Sequence, residues 1–296
     1  RPWSAPRPRG RGTGVAESTT PFSLLVPVYR GDDPAHLTRA FRSSVQDQTL
    51  RPAEVVLVQD GPVGEALART LEDLTDTSPV PVVRVSSPAN IGLARALTLG
   101  LARCAHEIVA RIDADDVSLP HRFATQVPLV AGGLDLVGSG MEEFEEDEDV
   151  VVGTRVPRSG QAAIEAYARF HDPFSHPTVV YRRSAVEAAG GYEPLGRMED
   201  YWLFVRMLEA GARVDNVVEP LVRYRVGEGA YARRGGREQW RTEVALQRAM
   251  LRIGFTTRAQ HARNILVRGT YRFVPEGVRK VAYRMLIARG GRASRG

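Results

Sequence analysis

Short apolar runs alternate with segments of helical periodicity in the first half of the chain. Four Val-rich runs, each closed by polar or turn residues, predict β-strands at residues 22–29, 53–60, 79–87 and 106–113. Helical patterns lie between them, at residues 34–45, 64–74 and 91–104. Strands that alternate with helices are typical of βα units. We therefore expect an α/β fold, Rossmann-like, in which helices flank a mainly parallel sheet.

The pattern changes after about residue 136. It predicts helices at residues 161–169, 184–189 and 199–209, a strand at 178–182, and helices from residue 235 onward that are interrupted at Gly254 and Pro275. The acidic stretch Glu142–Asp149 is interpreted as a solvated loop, with metal binding as the alternative. The predicted organisation is a disordered basic segment at 1–20, an α/β domain at 21–228 and a basic helical extension at 229–296.

Composition excludes several classes of protein. Hydrophobic residues make up 43% and charged residues 25% of the 296 residues, which is usual for a globular chain and excludes a collagen, a wholly disordered chain and a disulfide-stapled miniprotein. The single cysteine, Cys104, cannot form an internal disulfide. The sequence has no apolar span of about 20 residues and no signal-peptide pattern, so we expect a cytoplasmic protein.

Charge is distributed unevenly along the chain. The net charge is +5, but residues 1–21 carry +3 and residues 258–296 carry +9, so the remaining body carries −7. An acidic body argues against nucleic acid as a partner. In the basic tail, apolar residues at 278, 281, 282, 285 and 286 share one helical face. This pattern predicts either a helix at an anionic membrane, such as the inner face of the plasma membrane, or a helix docked on the α/β domain.

The sharpest chemical feature is the run Asp113, Ala114, Asp115 and Asp116, which directly follows the apolar residues EIVARI of the fourth predicted strand. Carboxylates this close repel one another, and a hard divalent cation offsets that repulsion. Mg²⁺ or Mn²⁺ usually takes one or two protein carboxylates together with phosphate oxygens. Asp113 and Asp115 are therefore candidate metal ligands for a diphosphate-bearing substrate. The alternative is an Asx-turn or a helix-capping loop.

Polar residues also close the earlier strands. Pro27, Val28 and Tyr29 end the first strand and Asp60 ends the second. Ligands of open α/β sheets bind at the carboxyl ends of the strands, so these residues should share one site. Asp60 could accept a hydrogen bond from a pyrimidine ring N–H while the first strand packs on the base, which favours UDP or dTDP over GDP. An ordinary Asp-Gly turn is the alternative.

Two predicted helix starts add further candidates. At Asn90, backbone N–H groups together with Arg95 could bind a phosphate or a nucleoside hydroxyl, unless Asn90 is a plain cap. At Glu199 and Asp200, a carboxylate could take the proton of an acceptor hydroxyl as a general base, although acidic residues also stabilise helix starts. His176 is either a strand-entry histidine or a contact to the acceptor or diphosphate.

Taken in order, the stretches VPVYRGD, VVLVQDG, NIGLARALTLGL, IDADDVSLPHRF, HPTVVYRRS and MEDYWLFVRML resemble the family 2 glycosyltransferases over about residues 22–226. The resemblance implies a GT-A fold and inverting transfer from a nucleoside diphosphate sugar with Mn²⁺ or Mg²⁺. It implies that Asp60 holds the base, Asp113 and Asp115 form the Asp-x-Asp metal motif, and Asp200 is the catalytic base. Asp116 and Glu199 would be supporting carboxylates.

Departures from the family pattern narrow this interpretation. The Gln-x-x-Arg-Trp motif of processive synthases is missing, so we expect one sugar per encounter. Gly227 stands about where many members carry a His. The charge of that His could be replaced by nearby arginines, of which Arg225 is our candidate donor-binding residue; the others are Arg223, Arg233 and Arg234.

This variant resembles transferases that build exopolysaccharide or capsule repeat units on lipid carriers, which implies a saccharide or polyprenyl-linked acceptor. Two rival functions stay open. A nucleotidyltransferase would need a Gly-rich basic loop after the first strand, where this chain has one Gly and an acidic pair. The other rival is an inactive sugar-nucleotide-binding module.

Overall fold

A computed structural model of the protein describes residues 20–227 and 237–273. Several expectations from the sequence fall outside these residues and stay predictions. They are disorder at 1–19, the charge of Arg233 and Arg234, the interruption at Pro275 and the apolar helical face at 278–286.

The described residues form one mixed sheet with helices on both sides. The strands are β1 (Phe22–Tyr29), β2 (Glu54–Asp60), β3 (Val82–Ser86), β4 (Ile108–Arg111), β5 (Val117–Ser118), β6 (Leu136–Phe144), β7 (Val151–Arg155), β8 (Val180–Arg182) and β9 (Val214–Arg225). The helices are α1 (Pro34–Val45), α2 (Glu65–Thr77), α3 (Leu93–Leu101), α4 (Arg122–Ala131), α5 (Gln161–Ala168), α6 (Arg183–Ala188), α7 (Glu199–Glu209), α8 (Arg237–Arg252) and α9 (Arg258–Phe273).

The sheet is parallel in its first half and mixed in its second. Its strand order is β3-β2-β1-β4-β8-β6-β9-β5, and β7 pairs with β6 beside this path. Strands β3, β2, β1 and β4 run parallel, β8 is antiparallel to β4, and β9 is parallel to β6. The β1–β2 register sets Tyr29 beside Asp60 at the carboxyl ends of their strands. The predicted α/β fold is confirmed. The carboxyl ends of β1 and β2, where we expected a ligand site, lie side by side.

Apolar side chains on the two faces of the sheet form two cores. Leu24 and Val26 of β1 face the core under α1, α2 and α4, whereas Leu25 between them faces the core under α3 and α7. Helix α3 approaches the sheet closely at Gly100, where an added Cβ would lie 2.2 Å from a Val58 methyl carbon. This close approach packs the last turn of α3 against β1 and β2.

The C-terminal extension packs on the α/β domain. Leu246 and Met250 of α8, and Phe255 after it, are buried in the same core as α7. The predicted interruption at Gly254 is confirmed, since Gly254 has φ 83° and separates α8 from α9. Among the helices of residues 20–227 and 237–273, none has the length and hydropathy required to cross a bilayer.

The solvated-loop interpretation of Glu142–Asp149 is wrong for its first three residues, which belong to β6. Glu143 is buried at 2% exposure, because Arg155 of β7 forms an ion pair with it. Farther along, Glu148 pairs with Arg39 at 2.7 Å and Asp149 with Arg223 at 2.8 Å. The guanidinium of Arg155 offsets the cost of burying Glu143, whereas the pairs of the more exposed Glu148 and Asp149 contribute less to stability.

Candidate active site

A cavity of about 530 Å³ lies at the carboxyl ends of β1, β2 and β4 and is called the strand-end cavity here. It brings together eight of the residues that the sequence singled out. Its lining consists of Pro27, Val28, Tyr29, Asp32, Asp60, Asn90, Gly92, Leu93, Ala96, Asp113, Ala114, Asp115 and Tyr224.

Asp60 is held rigidly at the base of this cavity. Its Oδ1 accepts a hydrogen bond of 2.6 Å from the Ile91 backbone nitrogen, and its Oδ2 accepts bonds of 3.0 Å from the Asn90 side chain and the Gly92 backbone. The N–H groups before α3 that we expected to meet phosphate are therefore used by Asp60. A carboxylate has about four acceptor sites, so Asp60 keeps capacity for one further donor, such as a base N–H.

We expect Gly61→Ala to lower the free energy of unfolding by about 1–3 kcal/mol, as a non-glycine residue in a left-handed conformation costs. Gly61 has φ 84°, and an added Cβ would lie 2.5 Å from the Asn90 backbone nitrogen. Urea denaturation measures the change. The matched control is Gly64→Ala, where φ is −68° and no atom lies within 4 Å of the added carbon. The control should change stability by less than about 1 kcal/mol, and equal losses in both variants would contradict the argument.

Carboxylates crowd the strand-end cavity. Asp113 and Asp115 line it after β4, and Asp32 lines it after β1, where its Oδ2 accepts a bond of 2.8 Å from the Tyr29 backbone nitrogen. Burial and the charge of Asp113 raise the pKa of Asp115 to about 6. Burial, together with the charges of Asp115 and Asp113, raises the pKa of Asp32 to about 7. Both shifts mean that burial and the neighbouring carboxylates disfavour the ionised forms, a cost that a bound cation would offset.

The donor set fits a hard divalent cation. Within residues 20–227 and 237–273, no three His, Cys, Asp or Glu side chains are grouped so that they could hold a metal ion by themselves. Mg²⁺ typically takes only one or two protein carboxylates and completes its shell with substrate phosphates and water. Asp113 and Asp115 provide two carboxylates on one cavity wall. They fit a cation that binds together with a diphosphate.

Asp116 lies behind the cavity wall. It is fully buried, and its Oδ1 accepts a hydrogen bond of 3.0 Å from the Arg225 backbone nitrogen. Burial and the charges of Asp115 and Asp113 raise its pKa well above the usual value. Asp116 thus fixes the loop after β4 and lines neither cavity described here.

A second cavity of about 840 Å³, the α7 cavity, adjoins the first and shares Leu93, Asp113 and Tyr224 with it. Asp200, at the start of α7, lines it. The Asp200 Oδ1 accepts a hydrogen bond of 2.8 Å from the Tyr201 backbone nitrogen, and the side chain keeps 22% exposure. Asp113 therefore stands where the two cavities meet, whereas Asp200 lines the α7 cavity alone.

Burial shifts the pKa values of Asp200 and of the two titratable side chains beside it. It raises the pKa of Asp200 itself, against the lowering effect of the Tyr201 N–H and of Arg111. Burial and the charge of Asp200 raise the pKa of Glu199 to about 7. The His176 Nδ1 lies 3.8 Å from Asp200 Oδ2, and burial lowers the pKa of His176 well below its usual value. His176 is thus a neutral neighbour of Asp200, and its Nε2 is paired with the Tyr192 hydroxyl at 3.0 Å.

Two predicted contact residues lie outside both cavities. Arg95 is exposed on α3, because Ala94, Ala96 and Leu97 face the core and turn it outward. Arg225 donates from Nε to the Asp115 carbonyl at 3.2 Å and packs on the Phe144 ring, which makes it a support of the loop after β4.

The structure adds three residues that sequence reasoning missed. Arg111 lines the α7 cavity, is 1% exposed and forms an ion pair with Asp113. Its Nε and Nη1 have no hydrogen-bond partner in the part of the chain that the structure describes. An arginine inside the apolar run IVARI was the available signal. Asp32 stood in an acidic pair after the first strand, whereas Tyr224 lies in β9, which the sequence pattern did not reveal.

Comparisons with known proteins agree with this geometry. A model of the glycosyl transferase family 2 matches residues 23–190. The amylovoran biosynthesis glycosyltransferase AmsE of Erwinia amylovora is 35% identical over 263 residues, which cover 88% of this chain and 97% of that protein. The UDP-Gal:alpha-D-GlcNAc-diphosphoundecaprenol beta-1,3-galactosyltransferase of Escherichia coli is 29% identical over 278 residues, which cover 93% of this chain and 99% of that protein.

Solved structures share the fold at low sequence identity. S. aureus TarS in complex with UDP-GlcNAc has a TM-score of 0.63 and 14% identity, with 83% of this chain and 70% of that chain covered. The mannosyltransferase PcManGT from Pyrobaculum calidifontis, in complex with GDP-Man and Mn²⁺, has a TM-score of 0.62 and 18% identity, with 94% and 77% covered. The fold is GT-A, the predicted resemblance is confirmed, and the chain belongs to glycosyl transferase family 2 as a glycosyltransferase enzyme.

Proposed function

We propose that this glycosyltransferase moves one sugar from a nucleoside diphosphate sugar, with inversion and with the help of Mn²⁺ or Mg²⁺, to a lipid-linked saccharide in cell-surface polysaccharide synthesis. The observation that carries the proposal is the pair of adjoining cavities. Asp113 lies at their junction, the candidate nucleotide residues line one, and Asp200 lines the other.

The two cavities suit the two substrates. The nucleotide lies in the strand-end cavity, where Asp60 has capacity for one base N–H and the exposed Tyr29 offers an aromatic face. UDP and dTDP both carry such a ring N–H. The diphosphate then extends toward Asp113 and Asp115, and the sugar reaches the junction with the α7 cavity.

Asp200 acts as the general base of a single displacement. Its ionised carboxylate takes the proton of the acceptor hydroxyl while that oxygen bonds to the anomeric carbon and the bond from this carbon to the diphosphate breaks. In a single displacement the acceptor hydroxyl attacks the face of the anomeric carbon opposite the departing diphosphate, so the anomeric configuration inverts. Arg111, between Asp113 and Asp200, holds the positive charge that favours ionised Asp200.

A divalent cation held by Asp113 and Asp115 would neutralise charge on the leaving nucleoside diphosphate. The acceptor class is supported by the relatives, one of which is named for a sugar linked to diphosphoundecaprenol and another for amylovoran biosynthesis. With such an acceptor, we propose that the enzyme acts as a peripheral protein at the inner face of the plasma membrane.

Release of nucleoside diphosphate from a panel of UDP-, dTDP- and GDP-sugars, each with Mn²⁺ or EDTA, tests the proposal. We expect slow hydrolysis of one donor, which accelerates when a lipid-diphosphate saccharide is added and yields a product of inverted configuration by NMR. Release of pyrophosphate from a nucleoside triphosphate and sugar phosphate would instead support a nucleotidyltransferase. Donor binding without any turnover would support an inactive binding module.

A further inference from the structure

An open groove of about 490 Å³ lies between α5 and α9 and adjoins the α7 cavity. Arg158 and Tyr167 line both the groove and the α7 cavity, so the two spaces share a wall. Phe170, His171 and Arg263 complete the polar and aromatic part of the groove. A ligand that lies in the α7 cavity beside Asp200 can therefore extend into the groove, which we call the α5–α9 groove.

The α7 cavity and the α5–α9 groove form a continuous path, with the cavity as its inner end and the groove as its outer end. The balance of charged side chains differs between the two ends. The α7 cavity, at the inner end, is lined by four carboxylates, Asp113, Asp172, Glu199 and Asp200, which outnumber its two inner arginines, Arg111 and Arg155. Among the described residues that line the α5–α9 groove, none is a carboxylate and two are arginines, Arg158 and Arg263. A ligand that complements the whole path carries neutral hydroxyls at its inner end and negative charge at its outer end.

The two guanidinium groups are positioned by aromatic rings. The Arg263 guanidinium carbon lies 4.5 Å from the centre of the Phe170 ring, and that of Arg158 lies 5.9 Å from the Tyr167 ring. A guanidinium that stacks on a ring directs its N–H groups outward in the plane, where they can bind two phosphate oxygens together. Desolvation and the charges of Arg268 and Arg263 lower the pKa of His171, which agrees with a positive field in the groove.

Helix α9 is fastened to the loop after α5 by buried polar contacts. The Asn264 side-chain nitrogen donates to the Arg169 carbonyl at 2.8 Å and to the Gln247 side chain at 2.9 Å. Arg268 donates to the buried Glu243 at 2.8 Å and to the Phe170 carbonyl. Arg263 therefore belongs to a rigid wall of the groove.

The geometry points to an anion-binding subsite in the α5–α9 groove, where Arg158 and Arg263 hold the phosphate or diphosphate of the acceptor. The inference rests on the proposed function, and it makes the C-terminal extension part of the acceptor site. The acceptor's sugar lies in the α7 cavity with its nucleophilic hydroxyl near Asp200, and its phosphates lie outward over Tyr167. A lipid chain leaves through the open side of the groove.

Two synthetic acceptors test the subsite: α-GlcNAc diphosphate with a phenoxyalkyl chain, and the phosphate-free alkyl glycoside of the same sugar. We expect Arg158→Ala and Arg263→Ala each to raise KM for the diphosphate acceptor about tenfold, the scale of one lost charge-assisted contact. The kcat at saturation should be unchanged, because these contacts are the same in the ground and transition states. For Arg263→Ala, whose residue lines the groove and not the α7 cavity, KM for the glycoside and hydrolysis of the donor should also be unchanged.

Arg248→Ala is the matched control, since it removes one exposed arginine from α8 outside the groove. An unchanged KM for the diphosphate acceptor in the groove variants, or an equal rise for both acceptors, would overturn the subsite. Failure of the unsubstituted enzyme to transfer to either acceptor, or to hydrolyse any donor, would instead overturn the proposed function and the subsite with it.

Sedimentation with phosphatidylglycerol vesicles separates the acceptor's phosphates from those of a membrane surface. We expect both groove variants to pellet with vesicles as the unsubstituted enzyme does. Loss of pelleting in these variants, with KM for the soluble diphosphate acceptor unchanged, would assign the two arginines to a lipid surface and overturn the acceptor subsite.

Discussion

Asp200→Asn is expected to reduce kcat by roughly 10²–10⁴-fold, the usual contribution of a general base. The amide keeps the shape of the side chain and can still accept the hydrogen bond from the Tyr201 backbone nitrogen. What it loses is the ability to take a proton from the acceptor hydroxyl. Donor binding, measured by calorimetry, should change little, because Asp200 lines the α7 cavity and not the strand-end cavity.

The pH dependence of activity is a second, independent test of Asp200 as the general base. Burial raises the pKa of Asp200, and only its ionised form can accept a proton. Activity should therefore be present above that raised pKa and be lost as pH falls through it, at a pH above the usual aspartate value of about 3.9. Measured as kcat with donor and Mn²⁺ saturating, so that protonation of Asp115 does not limit donor binding, this acidic decline should be absent from the Asn variant.

Glu209→Gln, at the exposed end of the same helix, is the matched control and should keep full kcat. A kcat in Asp200→Asn within about threefold of the unsubstituted enzyme would remove Asp200 from the reaction. In that case Glu199, whose pKa is near 7, would be the carboxylate to test next.

The parallel half of the fold could be predicted from the sequence because its strands are buried on both faces. In β1, seven consecutive residues from Phe22 to Val28 are buried, so the run reads as continuously apolar. The mixed half was missed for a physical reason. Strand β6 contains Gly and carboxylates, and β9 contains Pro220 at a register shift, so neither shows a clear period.

The site could be predicted in part for the same reason. Polar residues at the ends of parallel strands stand out against the apolar runs, and Asp60, Asp113 and Asp115 were found in this way. Arg111 was not found, because a single arginine within an apolar strand gives no sign of a role in the sequence. Its ion pair with Asp113 becomes visible only in the structure. Tyr224 also required tertiary structure, since β9 comes to both cavities from about 110 residues farther along the chain.

The groove beside α9 could not be predicted, because its two arginines are about 100 residues apart and on elements that the sequence does not pair. The extension was expected to be a basic helical appendage whose apolar face lies either at an anionic membrane or on the α/β domain. The packing of α8 and α9 on the domain gives part of that positive charge a local use, at the outer end of the acceptor path.

Asp115→Ala is expected to weaken Mn²⁺-dependent donor binding by about 100-fold or more, since even partners of metal ligands contribute 10–100-fold to metal affinity. Asp115 and Asp113 are the two carboxylates that fit a cation arriving with a diphosphate, and Asp113 already pairs with Arg111. Titration calorimetry with UDP and dTDP, in Mn²⁺ and in EDTA, measures the effect.

The EDTA arm determines whether such a loss comes from the metal. Without metal, Asp115 repels the diphosphate, so its removal should leave nucleotide affinity unchanged or increase it. Loss of a metal ligand should weaken nucleotide binding in Mn²⁺ but not in EDTA. A damaged cavity would weaken nucleotide binding under both conditions. Glu145→Gln, an exposed carboxylate in the acidic loop, is the control and should leave both affinities unchanged. If Asp115→Ala kept the Mn²⁺-dependent gain in affinity, the Asp-x-Asp assignment would fail, and with it the role of this sheet edge in holding the donor diphosphate.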